Sequence, residues 1–455
     1  MKLAVIGAGW AGMAAAVQAS SAGHGVCVFE ASRLLGGRAR GLYGSLPDGS
    51  TVALDNGQHI LIGAYTETLR LMRHVGVDPD AALLRLPLAL TFPDGAGLRF
   101  SRLPTPLDAL AAILGARGWS LRDKLGLLRA AVGWQLARFR CDASLTVATL
   151  CARLSPRVMH ELMEPLCVSA LNTPASRASA QVFLRVMKDA LFGVQGGSQL
   201  LLPRFDLSAL FPAAAAQWLQ QHGGELRLGA RVTQLQAQGA QWRVDGQPFD
   251  VVILAAPASE AARLVAAAAP STPDLIANQL HPWIDTTSAV QFESITTVYA
   301  WGRQASLRAP MLALRSDEAV TPAQFVFDRG QLGGPAGLLA FVVSASRGSH
   351  EDLQARVLQQ ARAQLGLELQ AVQTVVEKRA TFACTPGLVR PAMQIAPGLL
   401  ACGDYVAGPY PATLEGAVRS GLNAASAVLG NGAAGRQPLL TRPQSTSPTG
   451  RSAPP

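Results

Sequence analysis

The chain has 455 residues, 49% of them hydrophobic, and a net charge of +9 carried almost wholly by arginine, since only four lysines occur. Such a length supports two or three domains, and no run reaches the ~18 apolar residues that a membrane span needs. The six cysteines are scattered, with no CxxC and no histidine at ligand spacing, so they read as small buried hydrophobes and no metal site is expected. The basic balance favours an anionic membrane surface over nucleic acid, for which no recognition motif is present.

Leu3 to Ile6 reads as a buried parallel strand, followed directly by Gly7, Gly9 and Gly12. The first glycine permits the tight turn, the second lets a pyrophosphate approach the backbone, and the third lets the next helix lie close to the sheet. Glu30 lies 18 residues past Gly12, where a carboxylate can accept from a ribose 2′-hydroxyl, so FAD or NAD is favoured over NADP. Gly36-Gly37-Arg38 adds backbone N–H groups and a guanidinium near a phosphate or flavin edge. Ser50 to Leu54 is strand-like and leads into Asp55-Asn56-Gly57-Gln58-His59. A start with one lysine and an apolar run broken by glycines is no signal peptide, so a cytoplasmic location is expected, peripheral on the inner membrane face.

From about 63 to 225 the pattern turns helical. Pro106 to Gly115 holds a short apolar helix, and Leu121, Leu125, Leu128, Val132, Leu136 and Phe139 recur at helical spacing with arginines between. Flanked by Trp119 and Trp134, such helices suit a membrane interface, although core-facing helices show the same pattern. Glu225 to Arg231 reads as a strand continuing to Leu235, and Phe249 to Leu254 as a buried parallel strand. Residues 285 to 380 are β-rich with a helix from Glu351 to Leu365. Gly398 to Asp404 and Pro411 to Ala417 form a third cofactor piece before a helix to about Leu429.

The fold expected is α/β: a Rossmann-like FAD-binding domain assembled from 1–75, 196–260 and 385–430. The rest comprises a helical, membrane-facing insertion at 76–195, a mixed α+β substrate domain at 261–384 and a disordered tail at 431–455.

Three pieces, GAGWAG with Glu30 and LGGRAR, GARVTQL, and GD with ATLEGA, resemble the amine oxidase and phytoene desaturase superfamily of flavoproteins. Within it, the runs DNGQHILIGAYT, EPLC with ALNT, and GGSQ running to Pro203-Arg204 are similar to the hydroxysqualene dehydroxylases. The resemblance covers about residues 1 to 430 and implies FAD as the cofactor. It implies that Gly7, Gly9, Gly12, Gly37 and Arg38 follow the phosphates, Glu30 the ribose and Val232 the adenine. Asp404 would then meet the ribitol or pyrophosphate, with Thr413, Glu415 and Gly416 near the flavin ring.

The implied reaction returns squalene from hydroxysqualene by hydride transfer, so the site needs an acid in a dry channel. Asp55 and His59 are the first candidates, with Glu164 and Glu415 behind them. An apolar isoprenoid substrate, a membrane surface and a prenyl-condensing enzyme are the implied partners. Rival readings are a carotenoid desaturase, an amine oxidase, a protoporphyrinogen oxidase, and a flavin-binding partner without turnover.

Overall fold

The computed structural model describes residues 1–433 except 102, 104–106 and 194. Its first layer grows from strands with no polar side chain in their middles. Lys2–Ile6 lies between Gly25–Glu30 and Val251–Leu254, parallel to both, with Leu3 opposite Val251 and Lys2 opposite Gly25. Outward on one side comes Glu225–Leu228; on the other come Leu399–Ala401, also parallel, and an antiparallel edge strand, Gln394–Ala396. Strands from three distant parts of the chain thus share one sheet, and the continuous apolar runs of its central strands, Leu3–Ile6, Val26–Phe29 and Val251–Leu254, fit burial on both faces. Against one face lie the helices Trp10–Ser21 and Leu414–Ala433, in a core holding Ala14, Val17, Val418 and Leu422. They approach so closely that a Cβ on Gly421 would stand 2.1 Å from the Ala11 carbonyl oxygen.

The second layer is an antiparallel sheet in the order Met311–Ala313, Phe325–Asp328, Leu338–Ser344, Phe292–Trp301, Gln370–Phe382. Alternation along Phe292–Trp301 decides what it offers. Val298 and Ala300 pack with Phe341, Leu353 and Val357 under the helix His350–Leu365. Their neighbours Thr297 and Tyr299 point the other way, towards the Asp55 segment.

Several expectations need correction. The 76–195 region is not wholly helical. Leu83–Leu86 pairs with Leu200–Pro203, and Ala89–Thr91 forms a hairpin with Gly97–Arg99. The strand expected to run from Glu225 to Leu235 stops at Leu228. Gly229 takes φ +70°, and the Asp245 carboxylate then accepts from the Thr233 and Gln234 amides, which holds the loop bent. Of the tail assigned to 431–455, residues 431–433 continue the last helix and the remainder lies outside the described residues.

The leucine repeat divides between two sides of its helix. The helix Leu121–Leu136, begun by a Ser120/Asp123 capping box, is seated through Asp123, Leu127 and Trp134. Leu121, Leu125, Val132 and Leu136 face outward. Trp119 and Trp134 are both buried, and the Trp119 indole donates to Glu161, so neither marks an interface. No described helix is long and apolar enough to cross a membrane.

Candidate active site

The two glycine turns meet. Gly36 donates its amide to the Ala8 carbonyl and bridges Gly9 in parallel, so a Cβ built on Gly37 would stand 3.4 Å from the Gly9 Cα. The three N-terminal glycines have separate reasons to exist. A Cβ on Gly7, whose φ is +114°, would lie 2.7 Å from the Ala255 carbonyl oxygen, and one on Gly12 only 1.9 Å from that of Gly7. Gly9 is different. Its backbone is ordinary (φ −76°, ψ −178°) and a Cβ there meets nothing closer than 3.9 Å. Nothing in the protein demands a glycine at this point, which fits a ligand approaching the backbone. It caps a helix that has no side-chain cap, leaving first-turn N–H groups and the positive helix end to an anion.

Glu30, at the end of its strand, accepts from the Ala8 amide at 2.7 Å through one oxygen and from the Ser32 amide at 2.8 Å through the other. Each oxygen keeps a second lone pair for a ribose hydroxyl. Val232 is buried on the bent loop, and its backbone N–H and C=O meet no partner among the described residues. Arg38 and Asp404, 366 positions apart, form a bidentate ion pair, and Arg38 also reaches the Ala380 carbonyl at 3.0 Å. The cofactor pieces expected from the sequence therefore converge on one cleft, with donors and acceptors that suit a dinucleotide.

The Asp55–His59 segment closes the site on the side of the antiparallel sheet. Tyr299 anchors it: its hydroxyl donates to the Asp55 carbonyl at 3.0 Å and accepts from the Asp55 amide at 3.1 Å. The Asp55 carboxyl is fully buried. One oxygen accepts from the Leu207 amide at 2.8 Å and the other has no partner. Burial raises its pKa to about 7, against the pull of Arg329 and the Leu207 hydrogen bond. His59 is turned elsewhere. Its Nδ1 faces the Gly57 carbonyl at 2.8 Å, which makes Nδ1 the donor and leaves Nε2 as the basic nitrogen. Burial, with the Arg38 charge adding to it, lowers the imidazole pKa. No hydrogen bond joins Asp55 to His59. They are not a pair: Asp55 holds the loop, and His59 faces the Arg38 side.

Other expected residues also take different places. Glu415 is completely buried and its carboxylate is fully engaged. It accepts from the Glu67 and Thr68 amides (3.1 and 2.9 Å), from the Thr68 hydroxyl (2.7 Å) and from Arg419 (2.7 Å). It bolts the last helix to the N-terminus of Thr66–His74 and offers no side-chain atom to a cofactor. Thr413 caps the last helix, accepting from the Gly416 amide at 3.0 Å and donating to the Tyr410 carbonyl at 2.7 Å. Gly416 is required by that same carbonyl, 2.0 Å from a Cβ placed there. What this helix presents to a ligand is backbone: the Leu414 and Glu415 amides have no acceptor among the described residues. Glu164 is half-exposed and pairs with His160, not with the cleft. Sequence reasoning missed Tyr299, Thr297 and Arg329. The last two carry buried polar atoms without partners beside the same segment, and no linear signal ties them to Asp55.

An uncapped helix start behind a glycine turn, a carboxylate with free lone pairs, a second glycine turn and a distant Gly-Asp piece suit a flavoprotein oxidoreductase that binds FAD. The model of the flavin-containing amine oxidoreductases matches residues 10–429, and the chain belongs to that family. It is similar to hydroxysqualene dehydroxylases of Rhodopseudomonas palustris (28% identical, covering 94% of this chain and 99% of the relative) and Sinorhizobium fredii (26%, 93% and 97%). A carotenoid phi-ring synthase of Streptomyces griseus is 31% identical but corresponds to 58% of this chain and 54% of its own. Among solved structures, an oxidoreductase from Methanosarcina mazei shares the fold with a TM-score of 0.69 at 16% identity, covering 94% of this chain and all of its own.

Proposed function

We propose that the protein replaces the allylic hydroxyl of hydroxysqualene with hydrogen and releases squalene. The observation that carries this reading is coverage. The dehydroxylases correspond along nearly the whole chain, including the Asp55 to Thr66 loop and the 76–195 region, whereas the carotenoid enzyme corresponds to little more than half.

In the reaction a C–O bond breaks, the oxygen leaves as water after taking a proton, and a hydride is placed on the allylic carbon. Bound and reduced, FAD supplies that hydride. The chain's own task is to deliver the proton and to keep bulk water away. His59 suits the first. With Nδ1–H held by the Gly57 carbonyl, the proton to be donated sits on Nε2, and the lowered pKa makes the imidazolium a stronger acid than free histidine. Asp55 is the positioning residue: through Leu207 and Tyr299 it fixes the loop that carries His59. Ile60 and Ile62, directly after His59, are partly buried against an apolar core and give this stretch its dry character.

The test is a single turnover. Anaerobically reduced enzyme mixed with hydroxysqualene should form one equivalent of squalene per flavin while the flavin absorbance returns to the oxidised form. No squalene would overturn the reading. Desaturation of phytoene by the oxidised enzyme would replace it with the carotenoid alternative.

A further inference from the structure

Seventeen large hydrophobic side chains are exposed among the described residues, and eight of them fall between residues 103 and 136. They are ordered. On Leu107–Leu114 the exposed positions are Leu107, Leu110 and Leu114, one face of a helix at spacings of three and four. On Leu121–Leu136 they are Leu121, Leu125, Val132 and Leu136, which on a 3.6-residue period fall within roughly 60° of one another. Leu121 is 77% and Leu136 81% exposed, more than a solitary surface leucine needs to be. The residues that seat this helix, Asp123, Leu127 and Trp134, occupy the opposite side, so the outward stripe is uncovered among the described residues.

Charge decides what covers it. Residues 103–140 hold Arg117, Arg122, Lys124, Arg129, Arg138 and Arg140, and their two acids, Asp108 and Asp123, are both buried. Arg122 and Arg129 flank the stripe at roughly 80–100° on the same wheel, with Lys124 on the other flank. An apolar stripe edged by cations, with no exposed carboxylate of its own, matches the headgroup region of an anionic bilayer. A second copy of the chain fits less well. A two-fold contact sets the same patch against itself and would place these cations opposite one another.

We propose that the Leu107–Leu114 and Leu121–Leu136 helices form a docking face that lies in the interface of an anionic membrane, with their leucines among the upper acyl chains and the arginines at the phosphates. The inference does not rest on the hydroxysqualene reading, because binding is read without substrate or turnover.

The experiment is flotation of the full-length, flavin-loaded protein with vesicles of phosphatidylcholine alone or mixed with phosphatidylglycerol. Wild type should float with the mixed vesicles and far less with phosphatidylcholine alone. Arg122→Gln with Arg129→Gln, both on exposed positions, should weaken binding to the mixed vesicles roughly thirtyfold, at about a factor of five for each charge. Leu121→Glu with Leu125→Glu and Leu136→Glu should abolish it, with flavin content and circular dichroism unchanged as the check on folding. If the leucine variant misfolds, the arginine pair decides alone. Wild type that stays with the soluble fraction, variants that float as well as wild type, or a wild-type dimer dissolved by the leucine substitutions would each overturn the proposal.

Discussion

Gly9 and Gly12 sit three residues apart in one motif, yet the structure gives them opposite consequences when a methyl group is added. At Gly12 the new Cβ would stand 1.9 Å from the Gly7 carbonyl oxygen and 2.9 Å from the Ala255 methyl, so the helix must leave the sheet. Overpacking of this kind costs about 3 kcal/mol or more. At Gly9 the methyl meets only ordinary contacts at 3.9 Å, and φ and ψ already suit an L residue. Reduced freedom of the unfolded chain contributes ~0.4–1 kcal/mol of stability. Loss of a glycine N-cap offsets part of it, and the net change should stay within about 1 kcal/mol. The pyrophosphate, by contrast, needs the space the methyl takes, so Gly9→Ala should lose FAD affinity by more than about tenfold. Urea unfolding of flavin-free protein, with flavin titration of the same samples, separates the two. A Gly9→Ala enzyme that retains FAD like wild type, or unfolds as readily as Gly12→Ala, refutes the reasoning.

Three further outcomes are expected. Glu415→Ala leaves Arg419, the buried Thr68 amide and the half-buried Glu67 amide without their acceptor and should cost ~3–5 kcal/mol, read as a lower urea midpoint with and without FAD. Because the Asp55 pKa is raised to about 7 in the folded chain, its contribution to stability is complete at pH values below the ordinary carboxylate value and lost as pH rises through 7. At ~1.4 kcal/mol per pH unit the loss approaches roughly 4 kcal/mol, and Asp55→Asn should flatten that part of the stability profile; a slope unchanged in the variant disproves the assignment. If His59 donates the proton, the single-turnover rate should decline as pH rises through its lowered pKa. His59→Gln should then be slower by roughly 10²–10⁴ and lack that inflection, as followed by stopped-flow flavin absorbance.

Where local physics decides the outcome, the sequence was readable. The apolar Leu3–Ile6 run and its glycines could hardly form anything but a strand and a tight turn, and the strand Val251–Leu254 declared itself by continuous apolar character. Residues whose role depends on distant partners were not readable. Glu415 looks like a ligand at a helix start until Thr68 and Arg419 are seen to occupy it. Asp55 and His59, four positions apart, look like a pair, but the turn at Gly57, with φ +132°, sends them different ways. The leucine repeat carried its period plainly. Periodicity alone does not say which side of a helix is wet, and here only the contacts of Asp123, Leu127 and Trp134 do.

The meeting of Arg38 with Asp404, and of Thr68 with Glu415, has a consequence for biosynthesis. Emerging from the ribosome, the amino-terminal glycine turns are complete hundreds of residues before their counterparts have been translated. Leu399–Ala401 must still add to the sheet beside Val251–Leu254, and the last helix must settle on Trp10–Ser21. Domains tend to fold as units once their sequence is available. The nucleotide cleft therefore matures only at the end of translation, so FAD loads onto a finished polypeptide, and a chain cut before Leu414 should be recognised by the cell as unfinished.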